Sequence, residues 1–388
     1  MNGRRAEAYW LFIEPYVYVK MTEGNVFLYN TLDGSVIKSN RIEVVEIIST
    51  ILKDENGVVL LREEKFHNKI VKGFVNDLRK KYMGDAIDVA YSNNKPVQIM
   101  PLCNLQDVGI NNIYNGRLFS NVPVLDCLNE ISFYVDDSIN ADAFISFINT
   151  LPVSLDVNLI GDITKVNGYI EILSFFVEYS FSSFAIYDGY KTAINLISKL
   201  EHFYFKLVVV VDYPIDLEIW DILLKQLIDY AGTYKFIFHV TSDEDYWESI
   251  KLIETYSITD YEIIPVYIGT NLNFFRANVF LSENDFQNSI VSMKEILTHQ
   301  ILNTNDFGKL IVRASGDVYA NTHFPCIGNI YINNIKELVE TELKTGLSWL
   351  RIRDKEPCQN CFYQWLCPSP STYELEIGQV NLCKINVK

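Results

Sequence analysis

Apolar positions repeat along this chain with two periods, and the places where one gives way to the other mark its organisation. Near the N-terminus, "YVYVK" (Tyr16–Lys20) and "NVFLYNT" (Asn25–Thr31) are aromatic and β-branched runs separated by the turn-forming "TEGN", which predicts a hairpin. "RIEVVEIISTILKD" then places Ile42, Val45, Ile48 and Ile51 at helical spacing. "FHNKIVKGFVNDLRKKYMG" does the same with Ile70, Phe74 and Leu78, ending at Gly84. Strands followed by helices predict a small winged-helix-like unit over residues 1–92.

From residue 93 to 304 the pattern alternates. The runs "PVQIM", "EISFYV", "SLDVNLI", "SFAIYD", "KLVVVVD", "KFIFHV" and "YEIIPVYI" read as buried strands, with amphipathic stretches such as "DLEIWDILLKQLIDYAG" between most of them. Repeated β-α units require a parallel sheet covered by helices. Six or seven of them suit a partial (β/α) barrel better than a closed eight-fold one. The fold class is therefore α/β. A last segment, 305–388, contains "GKLIVRASGDVYAN", whose "ASGD" turn predicts another hairpin.

Composition narrows the possible partners. The chain has 388 residues, enough for two or three domains, and 49% are apolar and 13% aromatic, enough for large packed cores. Its net charge of -16 argues against nucleic acid and anionic membrane surfaces, which are bound through Lys and Arg. The apolar run "YWLFI" is cut by Glu14 and Pro15, too short for a signal peptide, and no stretch approaches the ~20 apolar residues of a membrane span. A cytoplasmic location without membrane insertion is expected. Thiols stay reduced there, so clustered cysteines bind metal more often than they form disulfides.

Four of the seven cysteines cluster as Cys358-x2-Cys361-x5-Cys367-x15-Cys383. A tetrahedral ion or an iron–sulfur cube needs four soft ligands, and Cys-x2-Cys sets two of them on one turn. A thioredoxin-like pair, a disulfide or unconnected core cysteines are the other readings. A redox pair normally opens a helix after a strand, which "PCQNC" does not resemble. Spacing leaves [4Fe–4S] and zinc both open.

The pattern "ASGDVYAN…CIGNI…PCQNCFYQWLCPSPSTYE…NLC" resembles the SPASM domain that ends many radical SAM peptide-maturing enzymes. Such a domain holds two auxiliary [4Fe–4S] clusters. The resemblance implies that Cys358, Cys361, Cys367 and Cys383 ligate one of them. The second site is dismantled: its remaining motif positions hold Ser371 and, after "GDVY", Ala320 and Asn321. Cys326 nearby reads as a structural thiol. Radical SAM chemistry also needs Cys-x3-Cys-x2-Cys after the first barrel strand. The loop after "PVQIMPL" has Cys103, but Asp107 and Ile110 follow at the next two positions, and "YVDDSINADAF" has no cysteine. No S-adenosylmethionine is therefore expected. Elbow, phosphate-loop and His-Glu-x-x-His motifs are absent from the sequence.

With "WLRIRDKEPCQNCFYQWLCPSPSTYE", the chain resembles the pseudo-radical SAM/SPASM proteins of the GG-Bacteroidales peptide system, most strongly over residues 305–388. The resemblance implies a non-catalytic accessory role in ribosomal peptide maturation. The expected partners are a short precursor peptide with a Gly-Gly leader and a peptide-modifying or export protein. The alternative is a redox enzyme or electron-transfer protein acting on a peptide through the remaining [4Fe–4S] cluster. "NVFLYNTLDGSVIKSNRIEVVEIISTIL" is similar to the recognition element of peptide-modifying systems, in which a leader adds as a strand to a sheet edge beside a helix. The expected contacts are Val26, Phe27, Leu28 and Tyr29 on the edge and Ile70 and Phe74 on the helix. Read without the resemblance, these six are core residues of a small domain.

Overall fold

The computed structural model describes residues 8–53, 57–92, 94–99, 101, 122–199 and 203–385. The N-terminal part holds two three-stranded antiparallel sheets. β1 (Ala8–Ile13) lies between β5 (Val58–Arg62) and β6 (Gly84–Asp88); β2 (Val17–Thr22), β3 (Asn25–Asn30) and β4 (Val36–Ser39) form a meander. Gly24 sits at φ +68° in the β2–β3 turn, a conformation that favours glycine. The helices Ile42–Lys53 and Lys69–Lys80 pack on these sheets in one core. Asn68 caps the second helix, accepting from the Ile70 and Val71 N–H groups.

The buried face of the first helix differs from the one expected. It is Val44, Ile47, Ile48 and Ile51, whereas Ile42 is 64% exposed. Val44, Ile47, Ile48 and Ile51 follow the i, i+3, i+4, i+7 spacing of one helical face, whereas the uniform i+3 steps from Ile42 drift around the helix.

The main sheet has nine strands. β7 (Glu130–Tyr134), β8 (Asp156–Ile160), β9 (Ser183–Gly189), β10 (Lys206–Asp212), β11 (Tyr234–Val240) and β12 (Tyr261–Pro265) lie side by side in chain order, all parallel. β13 (Lys309–Val312) pairs parallel with the free side of β7, then antiparallel β14 (Asp317–Tyr319) and β15 (Gly328–Asn329) extend the edge. The hairpin read from "ASGD" is thus part of this sheet. The molecule is mixed α/β with a mostly parallel sheet.

Parallel neighbours in chain order need a helical crossover each. The helix Leu217–Asp229 is typical: Asp216 caps it, and Trp220, Leu223 and Leu227 are buried against Phe236 and Phe238 of β11 in the large core. "PVQIM" is a correction. It forms no regular element over Pro96–Ile99, and Val97 and Ile99 are 89% and 73% exposed. Both sides of β7 are taken by β8 and β13, so a preceding strand has no side of β7 to pair with. Among the described residues no helix is long and apolar enough to cross a membrane.

A third core joins the ends of the chain. Tyr18, Phe27 and Tyr29 of the meander pack with Phe286, Ile296, Tyr363, Trp365 and Leu366. The Phe27 ring stacks on Phe362 at 5.5 Å and meets Tyr363 edge-on at 5.4 Å, and the Val291 N–H donates to the Tyr29 hydroxyl at 2.8 Å.

Candidate functional site

The C-terminal segment gathers its cysteines by short turns. Cys358 opens the 3-10 turn Cys358–Asn360, and the Cys361 N–H donates to the Cys358 carbonyl at 2.9 Å. The Gln364 N–H then donates to the Cys361 carbonyl at 3.2 Å, and the Cys367 N–H to the Tyr363 carbonyl at 2.8 Å. Cys383 arrives from elsewhere through a parallel bridge to Leu281. There the Leu281 N–H donates to the Leu382 carbonyl (2.9 Å) and the Lys384 N–H to the Leu281 carbonyl (2.8 Å).

All four cysteines line one small cavity, with Arg353, Gln364 and Asn381 as its polar wall and Leu281, Leu382 and Ile385 as its apolar wall. The four are free thiols. Cys358 is 8% exposed, and its sulfur accepts from Asn381 Nδ2 at 3.6 Å. Burial pushes the Cys361 and Cys367 thiols up, and the charges of the other cysteines push the same way. Arg353 opposes this at Cys367 and Lys20 at Cys361. A bound cation would reverse the balance, since coordination deprotonates a thiol. As the side chains stand, no three His, Cys, Asp or Glu among the described residues are grouped to hold a metal ion. The four thiols share a cavity without converging on one point.

The wall is itself tied down. Arg353 Nε donates to the Pro368 carbonyl at 2.7 Å, and its Nη2 pairs with Glu374 Oε1 at 2.8 Å, both side chains being buried. His299 Nδ1 donates to the Trp365 carbonyl at 3.0 Å, and burial holds its pKa below the usual value. The positions that would serve a second cluster are occupied by a polar network. Asn321 Nδ2 donates to the Thr372 hydroxyl at 3.1 Å, and Asp306 accepts from Ser348 at 2.9 Å. Ser371 is the N-cap of the helix Thr372–Ile377. Cys326 is exposed, its thiol donating to the Gly328 carbonyl at 2.9 Å. Cys103, Asp107 and Ile110 lie outside the described residues. β7 is followed by Val135–Asn140, a loop without cysteine.

The recognition edge is a correction. β3 is the middle strand of its meander, so Val26, Phe27, Leu28 and Tyr29 lie on no edge. All four are at most 1% exposed: Val26 and Leu28 belong to the N-terminal core, Phe27 and Tyr29 to the core shared with the cysteine segment. Ile70 is half-buried and Phe74 buried, both on the N-terminal core. The physical reason is topological, since the middle strand of a three-stranded meander has both backbone sides paired. The edges are β2 and β4, and the spacing of the two turns was the signal for this. Lys20, Arg353 and Gln364 were not found from sequence, where nothing marks them apart from other polar residues.

No protein-family model matches this chain, and no curated protein matches it either.

Proposed function

We propose that this protein captures a short precursor peptide for a partner protein without performing catalysis itself, and that Cys358, Cys361, Cys367 and Cys383 hold a [4Fe–4S] cluster. The observation that carries the peptide reading is the outer side of β4. The Asn30 N–H donates to the Ser35 carbonyl at 2.9 Å. In an antiparallel pair this alternation turns the N–H and C=O groups of Val36 and Lys38 outward. The Val36 carbonyl accepts from Lys81 Nζ, and no described strand pairs with this side. An extended peptide added here gains main-chain hydrogen bonds. Beside the edge, an open pocket lined by Tyr29, Gly34, Val36, Lys38, Phe286 and Tyr363 suits one of its side chains.

For the metal, zinc is the alternative. Thiols that share a cavity without closing on a point suit a cube, whose ligand sulfurs stand farther apart than the four around a single ion at ~2.3 Å. When bound, such a centre supplies a rigid crosslink and a one-electron site. The six parallel strands in chain order support a degenerate partial (β/α) barrel, the meander with its helices a winged-helix-like recognition unit, and the cysteine turns a SPASM-like ending. One observation favours the electron-transfer reading: Cys358 also lines an open groove of about 1210 Å³, which gives one ligand a path to the surface.

The test is binding of a labelled short peptide that carries a Gly-Gly leader. Saturable binding is expected. Val36→Pro removes an outward N–H and should weaken binding at least about tenfold while leaving the melting profile intact. A wild-type chain that ignores the peptide sinks the proposal. Anaerobic metal analysis decides between iron with sulfide and zinc, and a metal-free chain would remove the centre.

A further inference from the structure

Alternation along β7 sends Ile131 and Phe133 into the large core and turns Glu130, Ser132 and Tyr134 to the opposite face of the sheet. A pocket opens on that face. It is lined by Glu130 and Ser132, by Asp306 and Lys309 at the start of β13, and by Asn321 and Thr372, which are hydrogen-bonded to each other. Its polar groups are set into the fold: Ser132, Asp306 and Asn321 are 8%, 7% and 5% exposed.

Two carboxylates face this pocket, and each is held by one oxygen only. Glu130 Oε1 accepts from Asn158 Nδ2 at 3.2 Å and from the Ser132 hydroxyl at 3.4 Å. Asp306 Oδ2 accepts from the Ser348 hydroxyl at 2.9 Å and from Asn321 Nδ2 at 3.4 Å, and stands 3.6 Å from Arg351 Nη2. Among the described residues, Glu130 Oε2 and Asp306 Oδ1 have no donor. Lys309 pairs in register with Glu130, but its side chain is exposed and forms no ion pair with it. Carboxylate oxygens drawn partly out of water cost free energy until a donor meets them. A primary ammonium supplies three N–H donors and a full charge. An anion would meet two like charges here, and an apolar group would leave both oxygens unpaired.

We propose that this pocket binds the α-ammonium group of a free amino acid or of a peptide N-terminus, with Glu130 as its anchor. Asp306, fixed by its own network, is the second carboxylate of the site, and the Ser132 and Thr372 hydroxyls are its neutral acceptors. Neither the four cysteines nor the outer side of β4 takes part, so the site stands apart from the function proposed above.

The test titrates the full-length chain at neutral pH with glycinamide, which carries an ammonium and no carboxylate, and follows binding by NMR. N-acetylglycinamide is the matched probe without charge. Glycinamide should bind saturably, and its acetylated form at least about tenfold more weakly. Glu130→Gln keeps the shape and the bond from Asn158 but removes the charge, and should weaken glycinamide at least about tenfold. Glycine and tetraglycine amide then separate the two sources. A site for free amino acids takes glycine and rejects the longer chain, and a site for a peptide N-terminus takes tetraglycine amide at least as well as glycinamide. Equal binding of glycinamide and its acetylated form overturns the proposal, as does the absence of saturable binding by every free amine. Glycinamide binding that Glu130→Gln leaves unchanged overturns it too. Asp306→Asn repeats that comparison should Glu130→Gln not fold.

Discussion

Glu342 shows how a single side chain sets a pH dependence in the C-terminal segment. It is 1% exposed, and its Oε1 accepts from the Ser348 N–H at 3.0 Å and the Trp349 N–H at 2.8 Å. Burial pushes its carboxyl above the ordinary range, and the two hydrogen bonds only partly oppose this. The folded chain therefore keeps a proton that the unfolded chain, with a value near ~4.3, has already lost. Stability is full below the unfolded value and falls as pH rises through the folded one. Glu342→Gln keeps the acceptor and cannot ionise. Denaturant titrations between about pH 4 and 8 should show wild type losing stability relative to Glu342→Gln as pH rises. Parallel pH profiles would mean that this carboxyl ionises as freely in the fold as outside it. Residues of this scale were legible in the sequence only where their partners are near. The cysteine spacing is local, so it could be read. Lys20 and Gln364 are 344 residues apart, and no periodicity links them.

Among the elements, β3 is where sequence reasoning went furthest and then failed. The hairpin with β2 was legible from two apolar runs and a Gly turn, and so were the helices that follow. What the alternation could not say is that both faces of β3 are buried, because each face meets a different core. Phe27 tests the second face. It is fully buried against Phe362 and Tyr363, so Phe27→Ala should cost about 3–5 kcal/mol, read from the denaturant midpoint. A cost below about 1 kcal/mol would mean that this face is wet in solution. In the main sheet the β-α alternation gave the strands from β7 to β12. It misread "PVQIM" because an apolar run flanked by prolines looks like a strand until its neighbours are known. The joining of β13 to β7 was also invisible, since parallel pairing between distant segments leaves no local mark.

At the scale of the whole molecule, the chain is closed by contacts between its two ends. The Lys38 ammonium reaches Tyr363 Oη at 2.8 Å and Glu283 at 3.2 Å, beside the stacked pair of Phe286 and Tyr363. On the proposed reading of the four cysteines as a metal centre, ligation is worth on the order of 10 kcal/mol, so removing the metal should loosen more than the cysteine turns. Hydrogen exchange on the full-length chain, with and without chelator, should show faster exchange in Tyr18–Tyr29 as well as in 358–367. Unchanged exchange in the meander would show that the two ends are energetically separate. β3 carries the remaining consequence. A strand with one wet face leaves every second position free to drift, whereas the four consecutive side chains from Val26 to Tyr29 are each answerable to one interior or the other. Mutational tolerance along this strand should therefore be lost at every position and not at alternate ones, and a saturation library scored for folding would show a continuous intolerant block there.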